Sequence, residues 1–229
     1  MIDIHSHVLP MVDDGSNSVE TSLEMVSNAI KQGVKHLFLT PHYRGVFKLS
    51  KNQLKERFNE FRDYVLQKGL DINLYLGQEI HVDIDTKKSL SGDQLLTLND
   101  SKYVLLEFNY NHECEIVEYV YEFKRMGYIP IVAHAERYSY FTLDDAFEVK
   151  SIGGLIQVNA DSLLGMNKRS NKRLVAKMIK NGLVDFVAGD YHSNRNYLLA
   201  EAYKYSVKKF GSSVADKIFI TNGQAIIEK

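Results

Sequence analysis

The chain has 229 residues, 45% of them hydrophobic, with 28 Lys and Arg set against 29 Asp and Glu. That length and apolar content can build one large core, and the balanced charge excludes a general affinity for nucleic acid. One cysteine, Cys114, excludes an internal disulfide and suits a reducing compartment. No stretch has the length of a membrane span or the layout of a signal peptide, so a single cytoplasmic domain over residues 1–229 is expected.

In chain order, Ile2–Val8 comes first. Ile2, Ile4 and Val8 alternate with Asp3, His5 and His7, a period of two that marks a strand and sets both imidazoles on one face. Such a pair can hold a divalent cation, and it is equally compatible with an exposed strand. Asp13-Asp14-Gly15 follows, then a helix opened by Asn17 with Glu20 and stopped at Gly33. A strand over His36–Thr40 runs into Pro41-His42. Ser50 with Gln53 forms a capping-box pattern for a helix that reaches Gly69. The strand Ile72–Gly77 leads to Gln78-Glu79, and Tyr103–Phe108 carries Glu107 at its end. A helix from Glu115 to Met126 stops at Gly127. The strand Ile129–Ala133 precedes His134, Glu136 and Arg137. Thr142 with Asp145 opens the next helix, closed by Gly153-Gly154. The strand Leu155–Asn159, a helix Asn171 to Asn181, the strand Val184–Ala188 with Gly189-Asp190-Tyr191-His192, and a helix Tyr197 to Phe210 complete the pattern. The run Ile218–Thr221 reads as an eighth strand or, preferably, as an extended tail packed on the rest.

Seven β-then-α units predict an α/β fold with a parallel sheet, and one domain of this size fits a closed barrel better than an open sheet. The runs Leu37-Phe38-Leu39 and Ile129-Pro130-Ile131-Val132 are continuously apolar, as strands buried on both faces require. In such a barrel the reactive groups sit at the C-terminal strand ends. All the strand ends but that of the sixth, at Asn159, carry His, Asp or Glu. Glu107 follows an apolar run, where burial calls for a charge partner. His36 and His112 read as surface residues and His81 as a rim residue. Imidazole and carboxylate without thiolate suit Mn, Fe or Zn at a catalytic site, and the surplus of ligands suggests a cluster of two or three ions. Such clusters activate a water and clamp a phosphoryl group.

Taken together, H-x-H, V-D-D-G, T-P-H, G-Q-E, L-L-E-F, H-A-E-R-Y and G-D-Y-H resemble, in order and spacing, the polymerase-and-histidinol-phosphatase (PHP) metallohydrolases. Within them the chain is most similar to the bacterial protein-tyrosine phosphatases encoded with capsule or exopolysaccharide genes. The resemblance spans essentially the whole chain. It implies a single-domain, distorted (β/α)7 barrel of PHP type with three metals, usually manganese. One would be held by His5, His7, Glu79 and Asp190, a second by Glu79, Glu107 and His134, and a third by Asp14, His42 and His192. It also implies phosphate-binding arginines, Arg137 and Arg195, and as partner the tyrosine-rich tail of a membrane-associated tyrosine kinase. Departures are Ala135 in place of proline, Gly189 and Ser193 in place of serine and asparagine beside the metals, and a shortened loop from Asp190 to Arg195, which questions the reach of Arg195.

A cysteine-dependent phosphatase would need C-x5-R, but Val120 stands where the arginine would, so Cys114 is expected to be incidental. The cluster Lys168-Arg169 and Lys172-Arg173 could guide an acidic phosphorylated tail or an anionic membrane leaflet, or simply be a solvated helix start. The alternatives left open are a histidinol-phosphate phosphatase or other PHP phosphoesterase, a catalytically dead regulatory barrel, and a metal-dependent nuclease.

Overall fold

The computed structural model describes residues 1–110 and 112–228. Its strands form two arcs with parallel neighbours throughout. One arc orders β1 (Ile2–Asp3), β2 (His36–Leu39) and β4 (Asn73–Leu76). The other orders β3 (His42–Tyr43), β5 (Glu79–His81), β6 (Tyr103–Glu107), β7 (Ile129–Val132), β8 (Leu155–Asn159) and β9 (Phe186–Ala188). β3 extends β2 beyond Thr40-Pro41, and β5 extends β4 beyond Gly77-Gln78. The breaks stay in register because the Gly77 amide donates to the Leu39 carbonyl at 2.9 Å and the Glu79 amide to that of Pro41 at 3.1 Å. Counted this way the sheet has seven strands among the described residues, and its outer strands meet. The Asp190 amide donates to the His5 carbonyl and the His7 amide to that of Tyr191, both at 2.9 Å. The buried Asp3 carboxylate clasps the same seam, accepting from the Gly189 amide at 3.0 Å and the Tyr197 hydroxyl at 2.7 Å. The fold is therefore the expected closed, distorted α/β barrel.

Strand alternation sorts the core into two layers. Ile2, Ile4, Phe38, Leu105, Ile131, Ala133, Phe186 and Ala188 fill the barrel interior. Their neighbours Leu37, Leu39, Val104, Leu106, Val132 and Val187 pack outward against helices. The helices α1 (Val19–Lys31), α2 (Lys51–Gln67), α4 (Ile116–Arg125), α5 (Leu143–Ser151), α7 (Arg169–Lys180) and α8 (Leu199–Phe210) match the expected ones. Both capping boxes form, at Ser50 with Gln53 and at Thr142 with Asp145. Short helices α3 (Thr86–Ser91), α6 (Ala160–Leu164), α9 (Ser212–Asp216) and α10 (Asn222–Glu228) are additional.

Two expectations are corrected. The first strand pairs only over Ile2–Asp3 and then bends, touching Tyr191 again at Ser6. Ile218–Thr221 is neither strand nor extended tail; it lies in a π-helical stretch, Lys217–Thr221, that runs into α10. There the burial of Ile218 and Phe219 overrides β-branched propensity. α10 then closes the barrel at the N-terminal ends of its strands. Ile226 joins the inner core, and Gly223 lies so close to Ile2 that a Cβ would stand 2.7 Å from Ile2 Cγ2. Among the described residues, no helix is long and apolar enough to cross a membrane.

Candidate metal centre

At the opposite end, the side chains of His5, His7, Asp14, His42, Glu79, Glu107, His134, Asp190 and His192 converge in four overlapping groups of cation-ligand type. His7, Asp14, His42 and His192 form one, which is the expected third set with His7 added. His5, His7 and Asp190 form another, and Glu79 stands 3.4 Å from both imidazoles. The expected second set is divided. Glu79 groups with His5 and His134 on one side and with His42 and Glu107 on the other, while His134 Nε2 and Glu107 Oε1 are 4.0 Å apart. Glu79 is thus the hub. Two of the nine, His134 (φ 34°) and Asp190 (φ 44°), have left-handed backbones, a conformation rare outside glycine that aims their side chains inward. Ala135 does not prevent the turn after His134: residues Ala135–Arg137 form a 3-10 turn, and the Arg137 amide donates to the His134 carbonyl at 2.9 Å.

The donor set fits divalent cations on geometric grounds. His5 Nδ1–H donates to Gln157 Oε1 at 3.1 Å, and His7 Nδ1–H to Asp13 Oδ2 at 2.7 Å. The Gln157 amide is oriented by its other bonds, since Oε1 also accepts from the His134 amide and Nε2 donates to Asn159 Oδ1. With both Nδ1 atoms committed as donors, His5 and His7 in their neutral, ligand form would turn lone pairs toward each other from Nε2 atoms 3.2 Å apart. Such an arrangement is repulsive by itself and favourable around a shared cation. His42 Nδ1 stands 2.7 Å from Glu79 Oε2, yet both atoms are buried and neither makes an aligned hydrogen bond. Short contacts without donor alignment are what ligands of one ion make.

Electrostatics follow from stacking acids and bases in a largely buried mouth. Burial alone would raise Glu79, but the charges of His5 and His42 hold it well below the usual carboxylate range. Burial likewise opposes ionisation of Asp190, and His5 and His134 outweigh it downward. Asp13 is pulled to about 2 against its burial by the His7 imidazolium. Burial, together with the His7 charge, lowers His192 to about 4.

Both expected arginines reach the cluster. Arg137 Nη1 and Arg195 Nη1 each donate to Asp190 Oδ2 at 2.9 Å, so the shortened loop does bring Arg195 in. His81 is at the rim as expected, with Nδ1 3.3 Å from Glu107 Oε2. His36 stacks on Tyr75 and His112 is exposed. Cys114 lies outside the ligand groups, its thiol 3.5 Å from the His112 carbonyl. Lys168, Arg169 and Arg173 are exposed, whereas Lys172 is folded back onto the Leu164 carbonyl.

Sequence reasoning missed several supporting residues. Strand β8 supplies Gln157 and also Asn159, whose Nδ2 donates to Asp190 Oδ2 at 2.9 Å. Tyr110 donates to Glu107 Oε1 at 3.0 Å, touches the His134 ring and lies under Arg137, whose Cζ is 4.9 Å from its centroid. Arg44 spans Glu107 and Asp14 and is the charge partner that Glu107 requires. Only the position of Gln157, two residues before a strand end, could have flagged it in sequence.

Known proteins share this arrangement of chain. Tyrosine-protein phosphatase YwqE of Bacillus subtilis is 32% identical, over 93% of this chain and 87% of its own. The putative tyrosine-protein phosphatase CapC of Staphylococcus aureus is 36% identical, over 89% and 82%. A crystal structure from work on YwqE and Streptococcus pneumoniae CpsB, described as unique metal-dependent tyrosine phosphatases, superposes with a TM-score of 0.88 at 31% identity, covering 94% of this chain and 90% of that one. A zinc-containing histidinol phosphate phosphatase from Lactococcus lactis, at 14% identity and a TM-score of 0.59, shares the fold. Residues 1–228 match the family described as capsular polysaccharide synthesis, CpsB/CapC, and the chain belongs to that family.

Proposed function

We propose that this chain is a metal-dependent protein-tyrosine phosphatase, a single PHP-type domain that hydrolyses phosphotyrosine on the tail of a membrane-associated tyrosine kinase in capsule or exopolysaccharide synthesis. The observation that carries the reading is the meeting of nine imidazoles and carboxylates in one mouth, edged by two arginines that both lie on Asp190. The tyrosine-protein phosphatases among its relatives support the substrate class. The ligand set suits up to three ions, with manganese favoured and iron or zinc compatible. His5, His7, Glu79 and Asp190 would hold one, Glu79, Glu107 and His134 a second, and Asp14, His42 and His192 a third.

Bound cations of this kind supply an activated water for in-line attack and neutralise the phosphoryl oxygens. The chain's own residues do the rest. Asp13 and Gln157 hold His7 and His5 in the tautomers that face the cluster. Arg137 and Arg195 each have further N–H donors with which to fork the phosphoryl oxygens. The leaving group needs little help, because the conjugate acid of a phenolate has a pKa of about 10, so no dedicated proton donor is required.

The test is turnover of a phosphotyrosine peptide by the manganese-loaded protein, with histidinol phosphate as the competing substrate. The expected result is peptide turnover that a chelator abolishes and manganese restores. Chelator-resistant activity, or a preference for histidinol phosphate, would overturn the reading. Cys114→Ser is expected to retain full activity.

A further inference from the structure

We propose that Arg44 is a third substrate-binding arginine, a guanidinium at the mouth that takes phosphoryl oxygens from the side facing Asp14 and Glu107. The inference rests on the phosphatase reading above and adds a residue to its substrate site.

Arg44 stands just beyond the second barrel strand, whereas Arg137 and Arg195 follow the fifth and seventh. Its Nη1 donates to Glu107 Oε1 at 3.2 Å and its Nη2 to Asp14 Oδ2 at 3.3 Å. Those carboxylates belong to two different ligand groups, so the guanidinium bridges the edge of the cluster. The position is held from behind. Arg44 and Phe47 exchange backbone hydrogen bonds of 3.2 and 2.8 Å, closing a tight turn, and the Phe47 ring lies nearly parallel to that of His42. A third of the Arg44 side chain, 33%, is exposed, although its partner Glu107 is 2% exposed. The group therefore presents one edge to the ligand carboxylates and another to the entrance.

A residue needed only to neutralise Glu107 would have no reason to reach Asp14, which is 47% exposed and already meets water. Carboxylates that ligate cations have less negative charge to share, and a planar fork of N–H donors released from them matches an arriving phosphoryl group. Arg137 and Arg195 contact the cluster through one carboxylate, Asp190. Arg44 is the corresponding cation on the Asp14 and Glu107 side, so a phosphoryl group seated over the cluster would be met from both sides.

The experiment uses the full chain loaded with manganese. Wild type, Arg44→Ala and Arg44→Lys are assayed on a phosphotyrosine peptide, inorganic phosphate is titrated as a competitive inhibitor, and bound manganese is counted by elemental mass spectrometry. Arg44→Ala is expected to bind as much manganese as wild type. Its KM and its inhibition constant for phosphate should each rise about tenfold, the effect of losing one charge-assisted fork. Its kcat should change by less than about threefold, as for a contact made equally in ground and transition states. Arg44→Lys should keep the manganese and fall between the two, because a point charge replaces the fork. Unchanged KM and phosphate affinity in Arg44→Ala overturn the assignment. So does a fall in manganese content that by itself accounts for the loss, which would make Arg44 a brace for the carboxylates. An inactive wild type overturns the phosphatase reading and this inference with it, whereas an active wild type beside an unaffected variant overturns this inference alone.

Discussion

Asp13 and Asp14 are adjacent in sequence and separate in chemistry. Asp14 Oδ1 faces His42 and His192, at 3.4 and 3.6 Å. Asp13 is turned inward, where it accepts from His7 Nδ1, from the Gly15 amide at 2.9 Å and from the His42 amide at 3.0 Å. Asp13→Ala should therefore leave every ligand in place and still weaken cation binding about 10- to 100-fold, read by chelator competition. Asp13 also shapes acid stability. Its folded pKa of about 2 lies below the ordinary 3.8, so its contribution is complete above 3.8 and is lost as pH falls from there toward 2. Urea unfolding of the metal-free protein should show that acid limb in wild type and a flatter one in Asp13→Ala. At this scale the nine candidate ligands were legible because imidazoles and carboxylates at strand ends are chemically conspicuous. Gln157, Asn159, Tyr110 and Arg44 were not, since a neutral amide, a phenol or an arginine has many ordinary uses and only contact distinguishes this one.

Elements carry their own consequences. The seam of β1 and β9 depends on Asp3, whose burial raises its pKa despite bonds from Tyr197, Gly189 and His5. Asp3→Ala strands those donors and should cost about 2–4 kcal/mol in chemical denaturation. Tyr197→Phe, which removes one bond, should cost about 1 kcal/mol. Gly189 cannot be replaced cheaply either, since a Cβ there would lie 2.5 Å from the Tyr197 ring and 2.7 Å from Asp3 Oδ2. At the start of α7, Arg169 and Arg173 are exposed. If they steer an acidic phosphorylated tail, Arg169→Glu with Arg173→Glu should lower kcat/KM several-fold at low salt and far less at high salt, where charges are screened. Helices and strands with caps and clean periodicity were readable from the sequence. The breaks at Thr40-Pro41 and Gly77-Gln78, which split two strands, were not, because local pattern cannot tell a pause in pairing from an end. Ile218–Thr221 misled for the converse reason: its β-branched residues are helical because long-range packing required it.

Across the whole molecule, stability and chemistry occupy opposite ends of one barrel. α10 seals one end through Ile226, which is fully buried among Ile2, Ile4, Phe38 and Leu98, and the candidate cation-ligand cluster occupies the other. Ile226→Ala should lower unfolding free energy by about 2–4 kcal/mol while leaving specific activity per folded molecule unchanged, measured by denaturation and by active-fraction assay at low temperature. The barrel and its closure were legible from the alternating β and α patterns and the size of the domain, but the contacts that close it were not. Besides the Asp3 clasp, closure rests on two amide bonds, from Asp190 to the His5 carbonyl and from His7 to that of Tyr191, and these join the segments that follow the first and last strands. If Asp190 and His192 hold cations as proposed, a nascent chain cannot complete the mouth until both have left the exit tunnel. Chains truncated before residue 190 should then hydrolyse no phosphotyrosine peptide, and an active truncated chain would show that the late residues are dispensable.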